Sequence, residues 1–253
     1  VIKNKDAFIK PVLKLVSSFE PRTMTRAIDT LHFIIQNVAQ VKEANAVIAS
    51  VISRPQEEQV MKACSEYLCY AATICKEDVE NIIFNTLEND NAPSSDVAII
   101  AGSVASLNED SYIEKFKKGI SAKKVSYILS LGELGSIVDL SGQQKLVNDL
   151  KSLLSPTNPR EVFSAAAFAV GCIAAGSIHN ILPSLIKTAI NDEDNFSIWL
   201  ISFAAMTNKL SLNSTKDSLG DRFDDIANFL LKEREQKAEN EAPCARSLAS
   251  LAA

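Results

Sequence analysis

The sequence predicts an all-α fold built as a solenoid of about seven antiparallel helix pairs. Three observations support this prediction. Apolar residues recur at spacings of three and four along most of the chain, as in Phe8 to Val16 and Ile181 to Ile190. Glycine and proline together contribute only 16 of 253 residues, which favours ordered helix. The breaks between the apolar segments also return at a nearly constant interval, as in a tandem repeat.

The breaks are marked by prolines at positions 21, 55, 93 and 159. Successive gaps are 34, 38 and 66 residues, and the missing member of the series falls near 121–124, which reads Ser-Ala-Lys-Lys. Proline suits a helix start because its missing N–H needs no partner there. Each break is therefore expected to precede the second helix of a pair.

The first helices of the pairs are predicted at 6–18, 41–53, 77–89, 109–119, 143–154, 179–190 and 216–234. The second helices are predicted at 22–38, 56–75, 95–107, 122–138, 159–175, 193–209 and 242–252. No pair can bury its apolar face alone, so the pairs are expected to stack into a single array over 1–253. Because the chain begins at Val1 and not at Met, we expect this array to be a fragment of a longer solenoid.

Two further prolines distinguish the type of repeat. Pro11 and Pro183 lie inside apolar helical runs, where proline kinks a helix. The Trp and Tyr pattern of tetratricopeptide repeats is absent, although their period is similar. A proline inside the first helix, and a proline break before a second helix rich in small residues, are typical of HEAT repeats. The predicted architecture is therefore a right-handed HEAT-repeat superhelix.

The glycines at 132, 135 and 142 lie close together in LSLGELGSIVDLSGQ and raise the question of a nucleotide-binding loop. No strand precedes them, and no Lys-Ser or Lys-Thr pair follows. Gly132 instead aligns with Gly171, 39 residues later, in the middle of the next second helix. We therefore expect Gly132 and Gly171 to lie buried where helices pack closely, with Ser141 capping the following helix and Gly142 easing the turn.

The segment LSLGELGSIVDLSGQQKL (129–146) resembles a segment of the cullin-associated, neddylation-dissociated HEAT proteins, the CAND family. The resemblance continues through LLSPTNPREVFSAAAFAVGCIAAGSIHNILPSLIKTAI (153–190), so the similar part spans about 60 residues. It implies a sinuous helical solenoid, here an internal to C-terminal piece. It also implies binding to cullin–RING ubiquitin ligases that lack the ubiquitin-like modifier, and exchange of their substrate adaptors. No contact residue carries over from the family.

The candidate protein-binding residues come from the helix starts instead. Lys123 and Lys124 lie at the start of one second helix, and Arg160 and Glu161 at the start of the next. In stacked helix pairs the second helices line the concave side, which extended solenoids use for binding. We therefore expect these four residues to form a polar rim that faces the cullin.

No pattern of an enzyme active site is visible, and we expect neither a catalytic residue nor a cofactor. The two histidines, His32 and His179, lie in different repeats; His32 is expected to be buried and His179 to be exposed in a turn. Five cysteines include no C-x-x-C pair, so free thiols in a reducing compartment are expected instead of a metal site.

Three other features have structural interpretations. The acidic run at 191–195 lacks the glycine and the terminal glutamate of a calcium loop, and we interpret it as helix-start acids favoured by the helix dipole. The mixed-charge run at 232–241 is interpreted as a solvated helix end. Trp199, the only tryptophan, is expected in the core.

The net charge of −5 gives the chain no overall attraction to nucleic acid or anionic membrane, and no apolar run is long enough to span a bilayer. The sequence therefore predicts a non-catalytic binding scaffold for a cullin–RING assembly, with a cytoplasmic and nuclear location and no small-molecule substrate. The alternative is another HEAT-repeat adaptor, of the nuclear transport receptor or phosphatase scaffold type.

Overall fold

The computed structural model describes residues 6–192, 195–213, 220–236 and 240–252. This part of the chain contains fourteen α-helices and no strand, so the all-α prediction is confirmed. The helices are α1 (Asp6–Val16), α2 (Pro21–Ile34), α3 (Val38–Ile52), α4 (Glu58–Ile74), α5 (Lys76–Leu87), α6 (Ser94–Ala105), α7 (Glu109–Ser121), α8 (Val125–Gly135), α9 (Gln144–Ser152), α10 (Arg160–Gly176), α11 (Ile178–Asn191), α12 (Phe196–Asn213), α13 (Asp221–Gln236) and α14 (Glu241–Ala252).

The fourteen helices follow the predicted order of first and second members of pairs. Most boundaries fall within a few residues of the prediction; the predicted starts at 193 and 216 lie outside the described residues. One of these differences is informative. The second helix predicted from 122 begins at Val125, because Ala122 and Lys123 form the turn that caps the C-terminal end of α7.

The prolines and caps account for several helix starts. Pro21 is the first residue of α2, and the side chain of Glu20 caps that helix by accepting a 2.9 Å hydrogen bond from the Thr23 N–H. Pro93 and Pro159 are the N-caps of α6 and α10. Helices α1 and α11 continue through Pro11 and Pro183, as predicted from their apolar periodicity.

The chain divides into two compact units, 1–109 and 110–253. In the first unit the second helices form one layer, in which α2 packs on α4 and α4 on α6. The first helices form another layer, in which α1 packs on α3 and α3 on α5. The core lies between the layers and includes Leu31, Tyr67 and Ile83, which are all fully buried.

In the second unit α8, α10, α12 and α14 pack on one another in series. Helices α9 and α11 pack against α10, and α13 packs against α14. The sequence of α10, REVFSAAAFAVGCIAAG, explains its central position, because small residues let α8 and α12 approach it closely on both sides. The stacking of paired helices within each unit agrees with a solenoid; the HEAT-type superhelix and the single array over 1–253 stay predictions.

Candidate protein-binding site

The turn between α7 and α8 carries the first two predicted rim residues. Lys123 is exposed and has a φ of 56°, in the left-handed region that favours glycine. Its N–H donates to the Ile120 carbonyl at 2.8 Å, and the N–H of Lys124 donates to the Gly119 carbonyl at 3.0 Å. These two bonds form a Schellman motif, which ends α7 and fixes the position of both lysines.

The turn is tied to the next predicted pair of residues by one hydrogen bond. Lys123 Nζ donates to Oδ1 of Asn158 at 2.8 Å, and Asn158 Nδ2 donates to the Leu153 carbonyl at 3.1 Å. Asn158 therefore connects the α7–α8 turn to the α9–α10 loop. Arg160 and Glu161 follow directly in the first turn of α10, and both are exposed. The structure thus brings the starts of α8 and α10 to the same edge of the second unit.

Lys124 contacts the ring of Tyr127. It is half-buried, and its ammonium lies 6.0 Å from the ring centroid of Tyr127. The Tyr127 ring is itself buried against Phe116 of α7, at a centroid distance of 6.3 Å. A side chain on Gly119 would overlap the Tyr127 ring, so the glycine allows α7 and α8 to meet beneath the two lysines.

Two further lysines, which were not predicted as part of the site, lie in the last turns of the helices that lead into the α7–α8 turn and the α9–α10 loop. Lys118 is exposed in the last turn of α7, and Lys151 is half-buried in the last turn of α9, two residues before Leu153. Burial lowers the pKa of Lys151, and this ammonium makes no ion pair with any described residue. We call Lys118, Lys123, Lys124, Lys151 and Arg160 the basic edge. Lys118 and Lys151 lie near the ends of first helices, α7 and α9, whereas the site residues were predicted only at the starts of second helices.

The charge of the chain is unevenly distributed around this edge. Residues 110–191 contain nine basic and six acidic residues, a net charge of +3, although the whole chain has a net charge of −5. Residues 192–253 contain seven basic and eleven acidic residues, a net charge of −4. The basic edge is therefore a local feature of the α7 to α10 region and is not a consequence of a basic protein.

The glycines predicted to lie at helix contacts do so. A Cβ atom on Gly132 of α8 would lie 2.6 Å from the Cα of Ala169 in α10, which is too close for any real contact. A Cβ atom on Gly171 of α10 would meet the backbone carbonyl oxygen of Ser202 in α12. Both glycines are buried, so the packing interpretation is confirmed.

A second pair of glycines brings the C-terminal ends of α8 and α10 together. A Cβ atom on Gly176 would overlap the carbonyl oxygen of Gly135, and one on Gly135 would overlap the side chain of Ile173. Gly142 differs, because a Cβ atom there would meet nothing within 4 Å. The glycines at 132 and 135 are thus packing residues, whereas Gly142 lies in an open turn.

The residues after α8 form a hydrogen-bond network with the start of α11. Ser177 Oγ donates to Asp139 Oδ1 at 2.5 Å and accepts from the Leu140 N–H at 3.1 Å, and Asn180 Nδ2 donates to Ser141 Oγ at 3.1 Å. The hydrogen bonds from Ser177 and then from Ser141 hold the pKa of Asp139 below its ordinary value.

The prediction that Ser141 caps the following helix was wrong. Helix α9 begins at Gln144 with Gln143 at its N-cap, and Ser141 takes part in the hydrogen-bond network with Asp139 and Asn180 instead.

A buried ion pair crosses the stack of second helices. Lys209 Nζ of α12 lies 2.6 Å from Glu133 Oε2 of α8, and the side chains are 15% and 9% exposed. Cys172 of α10, between these helices, has its pKa raised by burial and further by Glu133. The sequence did not predict this pair, because 76 residues separate its members.

The histidines and cysteines, which are the residues most often used as metal ligands or in catalysis, do not form a site among the described residues. His32 is half-buried between Tyr67 and Tyr70, with ring centroids at 5.8 and 5.1 Å, so its predicted burial is only partial. His179 is exposed, as predicted, but it lies in α11 and not in a turn. All five cysteines are free thiols, three of them buried, and burial raises the pKa of Cys64 to about 12.

The other predicted features have the following outcomes. Trp199 is 3% exposed, which confirms its core position, and its indole N–H donates to Asp192 Oδ2 at 2.9 Å. Asp192 thus anchors the tryptophan, while positions 193 and 194 lie outside the described residues.

The mixed-charge run at 232–241 is partly as predicted. The residues at 232, 234 and 235 are exposed, as expected of a solvated helix end, but Glu233 is buried. Positions 237–239 lie outside the described residues.

The first unit contains a groove of about 410 Å³ at the starts of α3 and α5. Its lining combines charges of both signs, and one of them, Asp78, already accepts a 2.6 Å hydrogen bond from Asn45. The lining residues are Val38, Lys42, Cys75, Lys76, Glu77, Asp78 and Asn81. This mixture does not select a ligand class, so the basic edge is the better candidate for a site.

No protein-family model matches the chain. Among the described residues, no group of three or more histidine, cysteine, aspartate or glutamate side chains is placed to hold a metal ion. The helices within the same ranges are all too short or too polar to cross a membrane.

Proposed function

We propose that this chain is a non-catalytic binding scaffold of the HEAT-repeat class that binds cullin–RING ubiquitin ligases lacking the ubiquitin-like modifier and assists the exchange of their substrate adaptors. The observation that carries the proposal is the resemblance of 129–146 and 153–190 to the CAND family. A cytoplasmic and nuclear location, and the absence of catalysis and of cofactors, belong to the same proposal.

The contacts within the similar segments support this proposal. The distinctive residues after α8 and the Gly-Ser-Ile run after α10 touch each other, through Ser177 and Asp139. Gly132 and Gly171, which the two segments contribute at equivalent positions, each allow a close contact to the next second helix. The resemblance therefore involves residues that determine how neighbouring helix pairs pack, which is the property that a solenoid scaffold needs.

The proposed contact surface is the rim formed by Lys123, Lys124, Arg160 and Glu161. Three of these residues are exposed, and Lys124 is half-buried. Helices α8 and α10 pack on each other, and the Lys123–Asn158 hydrogen bond links the segments before them, so a partner would meet a preformed arrangement. Charges at the rim of an interface act mainly on the association rate and its salt dependence.

A capture experiment tests the proposal. The immobilised chain is mixed with a purified cullin–RING complex, either unmodified or carrying the ubiquitin-like modifier. We expect recovery of the unmodified complex and loss of binding when the modifier is attached. Recovery of nuclear transport cargo or phosphatase subunits from a parallel lysate, without any cullin, would favour the alternative HEAT adaptors instead.

A further inference from the structure

We infer that the basic edge, formed by Lys118, Lys123, Lys124, Lys151 and Arg160, is a docking surface for a short acidic segment of a partner protein. The inference rests on the proposed binding function and deepens it, because it states the chemistry of the partner and adds two lysines to the site.

Two cations of the edge, Lys123 and Lys151, have no carboxylate partner among the described residues. Lys123 Nζ is bonded to the neutral amide of Asn158, which leaves the charge unpaired and two ammonium hydrogens free to donate. Lys151 is partly desolvated without a carboxylate partner among the described residues. An incoming carboxylate would therefore add a favourable interaction at both positions without breaking an existing ion pair.

The α7–α8 turn and the α9–α10 loop, which carry or adjoin these cations, are in direct contact. Lys118 and Lys123 lie on either side of the C-terminal end of α7, Arg160 begins α10, and Asn158 connects Lys123 to the carbonyl of Leu153, just after Lys151. The Schellman motif and the ring of Tyr127 restrict the backbone and the Lys124 side chain. The cations are thus presented by helix ends that are already ordered, which lowers the entropic cost of binding.

The distribution of charge favours a protein over a nucleic acid. Asp149 lies two residues before Lys151, Glu161 directly follows Arg160, and both are exposed; residues 192–253 carry a net charge of −4. Duplex DNA presents about one phosphate charge per 1.7 Å and needs a longer, uninterrupted basic track. A short run of Asp and Glu can place its carboxylates on the cations and keep polar residues opposite Asp149 and Glu161.

The probe for the test is a fluorescently labelled Asp/Glu-rich peptide of about a dozen residues, long enough as an extended chain to span the basic edge. A peptide in which Asn and Gln replace Asp and Glu is the matched control. Binding to the whole chain is followed by fluorescence anisotropy over a range of salt concentrations. We expect binding of the acidic peptide only, with an affinity that falls as salt rises.

Two charge-matched variants locate the site. The edge variant carries Lys123→Glu, Lys124→Glu and Arg160→Glu. The control variant carries Lys187→Glu, Lys232→Glu and Arg246→Glu, three exposed positions of the same unit that lie outside the edge and give the same change in net charge. We expect the edge variant to lose about tenfold or more in affinity, and the control variant to change by less than about threefold.

A peptide of opposite charge gives a second test of where the acidic peptide binds. A Lys-rich peptide should bind the edge variant more tightly than the control variant, although their net charges are equal. Equal losses in the two variants, equal binding of the Asn/Gln peptide, or tighter binding of a DNA duplex than of the acidic peptide would overturn the inference. Unchanged thermal unfolding of both variants establishes that the comparison concerns folded protein.

The two proposals can fail separately. If the acidic peptide binds at the edge but no cullin–RING complex is captured, the inference stands and the proposed function fails. If the edge variant captures the unmodified complex as well as wild type, and the acidic peptide does not bind, the inference fails and the proposed function stands.

Discussion

Glu133 of α8 and Lys209 of α12 form a 2.6 Å ion pair that reaches across the intervening helix α10. The pair is largely buried, so the desolvation of each charge is offset only while its partner is present. The small residues of α10 make the contact possible, because Gly171 lets α12 approach and Gly132 lets α8 approach. The ion pair thereby links the two helices that pack on opposite sides of α10.

Removing one member of this pair is expected to destabilise the fold strongly. Glu133→Gln or Lys209→Met leaves a buried, unpaired charge and should lower the free energy of unfolding by about 3 kcal/mol. The double variant should lose less than the sum of the two, by at least about 1 kcal/mol. Urea unfolding of the four proteins measures this coupling, and strictly additive losses would show that the pair contributes nothing specific.

An exposed ion pair provides the comparison for the buried pair of Glu133 and Lys209. Lys117 and Glu114 have the same N–O distance of 2.6 Å, but the Glu114 side chain is 72% exposed. Because water screens this pair, Glu114→Gln is expected to leave the unfolding midpoint nearly unchanged. A large effect there would mean that distance alone, and not burial, determines the strength of these contacts.

The glycine contacts predict that alanine substitutions at positions 132 and 171 lower stability, whereas alanine at position 142 does not. Gly132→Ala and Gly171→Ala each place a methyl group against the backbone of a neighbouring helix and should destabilise by about 1–3 kcal/mol, and leucine at either site by more. Gly142→Ala enters open space and should be neutral or slightly stabilising, by up to about 1 kcal/mol. Thermal unfolding of the three alanine variants decides the matter; similar midpoints for all three would refute the close-packing account.

The Asp139 network predicts a pH dependence of definite sign. The folded-state pKa of Asp139 is lowered, first by the Ser177 hydroxyl, so its ionised form stabilises the fold above the unfolded pKa of about 3.9. This contribution is lost as the pH falls through the lower folded-state pKa. Asp139→Asn should therefore be less stable than wild type at neutral pH, and the difference should shrink as the solution is acidified below about pH 4.

Urea unfolding of wild type and Asp139→Asn at several pH values measures this difference. Ser177→Ala is the matched variant, because it removes the main hydrogen bond while keeping the carboxylate. Its loss of stability should overlap with that of Asp139→Asn, and the double variant should add little. A stability difference that grows on acidification would contradict the assigned direction of the pKa shift.

The left-handed backbone at Lys123 gives a local test of the turn. Lys123→Gly should raise the free energy of unfolding by up to about 1 kcal/mol, because the penalty of about 1–2 kcal/mol that a side chain incurs at a φ of 56° exceeds the contribution of the exposed Lys123–Asn158 hydrogen bond. Lys123→Val should lower it, since a β-branched residue fits this conformation worst. Equilibrium unfolding in urea ranks the three proteins, and the order Val, Lys, Gly is expected.

Much of the fold was predictable from the sequence because the information is local. The spacing of apolar residues indicates that α1 and α11 continue through their prolines. The proline break at position 21 indicates where α2 begins. The recurrence of glycine at 132 and 171 predicted their packing role, since a glycine in the middle of a helix is costly without such a reason. The start of α8 was misplaced because Lys123 occupies a position where glycine is usual, so the sequence carried no sign of the turn.

The candidate site was only partly predictable. Lys123, Lys124, Arg160 and Glu161 were recognisable as helix-start residues, but their connection through Asn158 depends on a hydrogen bond over 35 residues. The Glu133–Lys209 pair depends on which side chains of α10 are small enough to allow a contact across it. Ser141 matched a capping pattern, yet it is used by Asn180 of the next pair, and a sequence alone does not reveal such competition.

We propose that this chain binds an unmodified cullin–RING complex through the rim at the starts of α8 and α10. The most direct measurement is the association rate of that complex with the chain as a function of ionic strength. For wild type, we expect the rate to fall as salt rises, and for Lys123→Glu/Lys124→Glu/Arg160→Glu we expect slower association with a flattened or inverted salt dependence and unchanged unfolding. Absence of binding to the unmodified complex, or identical kinetics for the two proteins, would contradict this account.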